Sequence, residues 1–211
     1  VLGVVFIALV GWRFVPKRQA EGLEGFDTAA YLTEARVLEG GASDGKTLAV
    51  AGFHETLLID AATGMIGKRL IGLAERIESV RFSPDGTKLV YSSDKGGNLL
   101  QLWVRDMGTG QERQLTTLTT QPQGASWSND GTKIAFFDVD GMWRRAQISV
   151  VDVASGQVTK IHDALFSPGN TTWSPEGTRV AVAMVSSYST RFREGTNQVL
   201  TMSSKGGDDT W

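Results

Sequence analysis

Cysteine is absent from the 211 residues, which excludes disulfides without naming a compartment. Histidine is nearly absent. His54 and His162 stand in different repeats, without the close spacing of a metal pair, and read as loop or strand-edge side chains. No Gly-x-Ser-x-Gly elbow, phosphate loop or dinucleotide fingerprint occurs. The run Asp138-Val139-Asp140-Gly141 resembles the opening of a calcium loop, but it lacks the third oxygen ligand and the later glutamate, so a hairpin turn is expected there. Lys and Arg total 21 against 23 Asp and Glu, a net charge of −2 with no basic stripe, and nucleic-acid binding therefore has no support. No catalytic residue, metal site or cofactor is expected in this chain.

A long hydrophobic run is missing too. VLGVVFIALVGW carries no charge until Arg13, but twelve apolar residues fall short of the roughly 20 that a spanning helix needs. They suit the core of a signal peptide or the remainder of a membrane anchor. A hydrophobic helix is expected over residues 1–18, as signal or anchor, followed by a polar linker over 19–34. Arg13, Lys17 and Arg18 follow the apolar run, yet no small-residue cleavage site does. The expectation is an anchored or exported protein of the cell envelope, with the membrane as a partner through this segment.

What the chain does have is a repeat. SDGKTLAV, SPDGTKLVY, SNDGTKIAFF and SPEGTRVAVA each place an acidic residue and glycine between apolar stretches, starting at Asp44, Asp85, Asp130 and Glu176. The steps of 41, 45 and 46 residues match the length of one four-stranded propeller blade, about 40 to 45 residues. In the second copy the spacing predicts strands over 79–83, 88–93, 99–105 and 112–118. Pro84-Asp85-Gly86-Thr87 and Asp106-Met107-Gly108-Thr109-Gly110 supply the turns. Copies three and four repeat the plan over 125–128, 133–137, 147–153 and 157–161, and over 172–174, 179–184 and 198–203. The first copy is less regular, with strands over 47–51 and 55–60. Phe82, Trp127 and Trp173 each precede the serine that opens the turn, where a large ring would wedge between blades as core, contributing roughly 2 to 3 kcal/mol by area.

VRFSPDGTKLVYSS, ASWSNDGTKIAFFD and TTWSPEGTRVAVAM resemble the repeats of TolB-like propellers of the PD40 type, related to the WD40-like class without its Gly-His and Trp-Asp pairs. The resemblance covers residues 36 to 211 and is specific for the repeat rather than for an activity. Weaker likenesses exist. AVAGFHETLLIDAATG with RLIGLAERIESVRFSPDG is similar to WD-type repeats of bacterial surface or cytochrome-fused proteins, and SSYSTRFREGTNQVL resembles the propeller preceding the catalytic domain of secreted metal-dependent amidohydrolases. The implied fold is all-β, a partial propeller over 35–211 with four blades and the start of a fifth at Thr210-Trp211. Closed rings of these kinds commonly hold six or seven blades, so a fragment of a longer protein is expected.

Variation between copies points to function. The loop joining the second and third strands is short in copy two but runs over 138–146 (DVDGMWRRA) and 186–197 (SSYSTRFREGTN) in copies three and four. Propeller geometry gathers these loops on one face, opposite the tight turns, and with them Trp143, Arg144, Arg145, Tyr188, Arg191, Phe192 and Arg193. Forked guanidinium groups beside broad aromatic surfaces are what recognition surfaces use; the alternative is that these side chains pack on one another, on a further blade or on an attached domain. The expectation is a non-catalytic scaffold recognising a protein, peptide or glycan. The alternative function is an accessory propeller of a hydrolase, a metal-dependent amidohydrolase or a prolyl-oligopeptidase-like peptidase, whose catalytic domain lies beyond residue 211.

Overall fold

Ser83 and Asp85 show why the repeat folds as hairpins. In the computed structural model the Ser83 hydroxyl donates to Asp85 Oδ1 at 2.5 Å and accepts from the Lys88 amide at 2.9 Å. The Asp85 carboxylate accepts from the Thr87 amide and hydroxyl at 3.0 and 2.8 Å. Ser128, Asp130, Thr132 and Lys133 repeat this arrangement one copy later. These bonds close the turn on itself, which fixes where each strand ends.

The structure describes residues 4–7, 13–16, 45–51, 55–71, 77–140, 145–166, 168–187, 195–207 and 209–210. These are strands and turns, with no helix among the described residues. The helix expected over 1–18 falls mostly outside them. The two stretches that are described, β1 (Val4–Ile7) and β2 (Arg13–Pro16), pair antiparallel with Phe6 opposite Phe14, and β-branched residues such as Val4 and Ile7 favour that extended backbone. Among the described residues no helix is long and apolar enough to cross a membrane.

Four sheets follow in order. Blade one holds β3 (Thr47–Ala51), β4 (Glu55–Asp60) and β5 (Ile66–Ile71). Blade two holds β6 (Ile77–Phe82), β7 (Lys88–Ser93), β8 (Gln101–Asp106) and β9 (Glu112–Gln114). Blade three holds β10 (Gln121–Trp127), β11 (Lys133–Asp140), β12 (Arg145–Asp152) and β13 (Val158–Phe166). Blade four holds β14 (Thr171–Trp173), β15 (Arg179–Ser187), β16 (Gly195–Ser203) and β17 (Asp209–Thr210). All pairings are antiparallel between sequence neighbours, the up-and-down order of a propeller blade. First strands meet first strands, β6 with β10 and β10 with β14, while β6 also meets β3, which follows Gly45 as β7 follows Gly86 and so holds a second-strand place. The ring is not closed.

Two expectations change. The chain's last strand, β17, pairs with β16 through Met202 opposite Asp209, so Asp209–Thr210 is the outer strand of blade four and not the start of a fifth blade. The strand expected over 112–118 stops at Gln114 because the Gln101 side chain takes over the pairing. Its Oε1 accepts from Thr116 Oγ1 and the Leu118 amide, both at 2.9 Å, and its Nε2 donates to the Leu118 carbonyl at 2.9 Å.

The core lies between blades and not within them, because a single sheet has no second layer to bury its faces. Ala49, Leu58 and Leu70 of blade one pack on Val80, Leu89 and Tyr91 of blade two. Val90, Leu102 and Val104 pack on Trp127, Ile134 and Phe136 of blade three. Ala135, Ile148 and Val150 then pack on Val180, Val182 and Leu200 of blade four. Burial and the nearby Glu112 carboxylate push the Tyr91 phenol well above its ordinary range.

Two predictions follow from the turns. The Ser83 hydroxyl and the Thr87 groups hold Asp85 at about 2, and Ser128 and Thr132 hold Asp130 at about 2, both below the ordinary 3.8. Between those values the unfolded chain binds more protons than the folded one, so stability rises with pH there. Chemical-denaturation midpoints are expected to be insensitive to these groups above pH about 4 and to fall as pH drops from about 4 towards 2. An Asp85→Asn, Asp130→Asn double variant that kept the full slope would show that these turns do not cause it. In blade four Glu176 occupies this position, and the Arg179 amide still bonds Ser174 Oγ at 3.1 Å. Glu176→Asp is expected to bring the shorter carboxylate into the Asp85 geometry and stabilise by about 0.5 to 1.5 kcal/mol, read as a raised melting temperature.

Candidate functional site

One face of the blades is closed by its own turns. Asp60, Asp106 and Asp152 end β4, β8 and β12 and cap the turn that follows each. Asp106 Oδ1 accepts from the Gly108 and Thr109 amides and the Thr109 hydroxyl at 3.0, 2.7 and 3.0 Å. Asp60 does the same with Ala62 and Thr63, and Asp152 with Ser155. Hydrogen bonds from these backbone and hydroxyl groups hold all three carboxyls below the usual range. Each such turn is also tied to the acidic-Gly turn beside it, as in Met107 N–H to the Thr87 carbonyl at 2.8 Å and Val153 N–H to the Thr132 carbonyl at 2.9 Å. Groups so fully engaged with one another have little left for a ligand.

The opposite face differs from blade to blade. In blade two the β7–β8 connection is held down: Lys95 pairs with Glu112, which also takes Arg105 at 2.6 Å, and the Lys95 ammonium lies 5.5 Å from the centre of the Trp103 ring. In blades three and four the paired strands run on instead. The ladder continues through Asp138 opposite Gln147, Val139 opposite Ala146 and Asp140 opposite Arg145, and in blade four through Ser186 opposite Thr196 and Ser187 opposite Gly195. Strands of 8 and 9 residues replace the 6 of blade two. The spans expected as loops over 138–146 and 186–197 are therefore partly paired strand. Asp138 and Asp140 lie in β11 and do not form a turn, since their neighbours keep cross-strand partners; Gly141 lies outside the described residues.

Of the expected binding residues, Trp143, Arg144, Tyr188, Arg191, Phe192 and Arg193 lie outside the described residues. Arg145 is placed by its backbone alone, as the first residue of β12. What the structure describes is the strand pairs on either side of them, β11–β12 and β15–β16, in adjacent blades. His162 lies on the outer strand β13, its Nδ1 2.6 Å from the Asp163 carbonyl oxygen, and His54 lies outside the described residues. Among the described residues no three His, Cys, Asp or Glu side chains are grouped to hold a metal ion.

A cleft of about 720 Å³ runs along the first strands. Arg81, Ser83 and Pro84 of blade two, Ser126 and Trp127 of blade three, and Thr172, Ala183 and Val199 of blade four are among its walls. Its floor is stitched across blades. Trp127 Nε1 donates to the Arg81 carbonyl at 3.2 Å and Trp173 Nε1 to the Ser126 carbonyl at 3.0 Å. Thr171 Oγ1 lies 2.7 Å from Ser126 Oγ and donates to the Gly124 carbonyl at 3.1 Å. Phe82 and Trp127, read from sequence as core, are buried, Trp173 is partly buried against the core between blades three and four, and the two indoles also act as hydrogen-bond donors between first strands.

No protein-family model and no curated protein matches the chain. Solved structures do. It superposes on TolB from Acinetobacter baumannii with a TM-score of 0.58 at 23% identity, over 82% of this chain and 45% of that one. The fold is a TolB-like β-propeller. Hydrazine synthase from Kuenenia stuttgartiensis is similar as well, with a TM-score of 0.52 at 16% identity, over 79% of this chain and 62% of that one. At these identities the likeness is one of fold. The chain spans less than two thirds of either relative, and the propeller supplies a scaffold of blades with one face closed by turns and one built of hairpins of unequal length.

Proposed function

We propose that this propeller is a non-catalytic binding module of the cell envelope, holding a protein, peptide or glycan partner on its hairpin face. The observation that carries the reading is the length of the β11–β12 and β15–β16 ladders, which run further than the β7–β8 ladder of blade two. On this reading Trp143, Arg144, Arg145, Tyr188, Arg191, Phe192 and Arg193, in and beside the β11–β12 and β15–β16 connections of adjacent blades, form the recognition surface. Recognition residues concentrate on loops set by a rigid frame, and tryptophan, tyrosine and arginine dominate binding energy where they are buried by a partner. The apolar run before Arg13 supports an envelope location.

The test is cross-linking of the purified chain in an envelope extract, beside Trp143→Ala and Arg193→Ala. A partner seen with the unaltered chain is expected to be lost with either variant while circular dichroism is unchanged. Truncating a central anchor removes about 2 kcal/mol or more, roughly thirtyfold in affinity. A partner retained by both variants overturns the assignment, and variants that unfold assign these side chains to packing. Deleting residues 1–18 is expected to move the chain from the membrane fraction to the soluble one.

A further inference from the structure

The outer strands of blades two and three each have a turn of the following blade lying against them. A Cβ added to Gly156, in the turn after β12, would stand 3.3 Å from the Leu115 carbonyl oxygen just past β9. Arg113 of β9 also donates to the Val153 carbonyl and, at 3.4 Å, to that of Ala154 in the same turn. A Cβ added to Gly206, in the turn after β16, would stand 3.5 Å from Ile161 Cα and from the Lys160 carbonyl oxygen of β13. Blade one differs. Gly110 holds the place of Gly156 in the turn after β8, and among the described residues a Cβ there would meet only the Arg105 guanidinium of its own blade.

The outward edge of β5 is therefore uncovered among the described residues. One side of the strand pairs with β4, and β3, at the other edge of that sheet, lies beside β6. Ile66–Ile71 is 6 residues long and turns outward the backbone N–H and C=O groups that an edge strand leaves without a partner. β9 and β17, of 3 and 2 residues, are too short to offer such a row, and two register shifts interrupt the ladder of β13 where that of β5 has one. Met65 and Ile71, at the two ends of the row, are 57% and 75% exposed. Between them Lys68 is exposed and has no ion-pair partner among the described residues, whereas Arg69 is held by Glu55 at 2.8 Å. We infer that the outer edge of blade one takes up an extended segment of a partner protein as an added strand, with an acidic side chain opposite Lys68 and apolar ones opposite Met65 and Ile71. Main-chain hydrogen bonds supply the affinity in that mode, and alternate side chains supply the choice of partner. A second copy of this chain fits poorly, because two β5 strands centred on a two-fold axis set Lys68 opposite Arg69 and place like charges together. This surface is at the rim of the blade and is independent of the hairpin-face reading.

The probe is the end-blocked peptide IVTETVI, which reads the same in both directions and so leaves the polarity of the added strand open. It is titrated into the isotope-labelled full chain. Saturable binding is expected, with the backbone amide signals of residues 65–71 shifting most and gaining protection from hydrogen exchange. Affinity should fall about tenfold or more with the peptide IVTKTVI, and likewise in the chain variants Lys68→Glu and Ile71→Asp. Circular dichroism and melting temperature establish that each variant is folded, and the two report independently should one fail. The same peptide N-methylated at every residue keeps its charge and side chains but has no N–H to donate, and it should not bind. Absence of saturable binding overturns the inference. Equal binding of the methylated peptide reduces the contact to charge and overturns strand addition. A chain that associates with itself, and ceases to do so with Ile71→Asp, overturns it in favour of a second copy.

Discussion

Replacing Trp127 by alanine is expected to lower the unfolding free energy by about 3 to 5 kcal/mol, the range for deleting a large buried ring. The indole is 8% exposed and packs among Val90 and Leu102 of blade two and Ile134 and Phe136 of blade three. Its removal opens a cavity between two rigid sheets, which cannot close without separating their other contacts. Trp127→Phe keeps most of the ring and removes the bond to the Arg81 carbonyl, for an expected cost of about 1 to 2 kcal/mol. Phe82 already holds the equivalent place in blade two, buried without an indole donor. Guanidinium unfolding of the two variants checks this. A Trp127→Ala cost below about 1 kcal/mol would remove the wedge as a determinant of blade packing, and equal costs for both variants would assign the effect to the hydrogen bond.

Gly124→Ala is expected to be comparably damaging. Gly124 sits at φ 61° in the irregular stretch of β10 between Gln123 and Ser126. A Cβ there would stand 2.2 Å from Phe137 Cε1, 2.7 Å from Cδ1 and 3.2 Å from Asn170 Oδ1. The left-handed backbone alone costs alanine about 1 to 2 kcal/mol, and forcing the Phe137 ring aside adds about 1 to 3 kcal/mol. Gly45 has a similar φ of 63° with nothing within 4 Å of the added carbon. Gly45→Ala should therefore show the backbone cost without the steric one. Thermal unfolding of both variants separates the two contributions, and equal losses would refute the clash with Phe137.

Much of this was legible beforehand, for local reasons. The Ser-x-Asp-Gly-Thr turn at Ser83 bonds within itself and so does the turn at Asp60, so strand 88–93 begins and strand 55–60 ends where the residues say. The outer strands are another matter. Gln101 ends the pairing of β9 through its side chain, and nothing in the local sequence separates that glutamine from an ordinary strand residue. The mistaken start of a fifth blade had a usable signal. Gly110 to Trp127 and Gly156 to Trp173 are each seventeen residues, and Trp211 stands too close to Gly206 and Gly207 to be the equivalent aromatic. Asp60, Asp106 and Asp152, at a constant step of 46, likewise mark the second set of turns as a repeat in its own right. The candidate binding residues were legible as types; Trp143, Arg144, Tyr188, Arg191, Phe192 and Arg193 lie outside the described residues, and of that surface the structure describes only the β11–β12 and β15–β16 strand pairs.

By itself the sequence determined the repeat, the turn chemistry and the alternation that gives each strand two apolar sides, because these depend on residues within a few positions of one another. Only the tertiary structure decided which side meets which blade. Val90 and Leu89 are adjacent and equally buried, yet one faces blade three and the other blade one. Val199 is as apolar as Leu102 or Ile148 and is exposed all the same, because burial depends on whether another sheet lies across it.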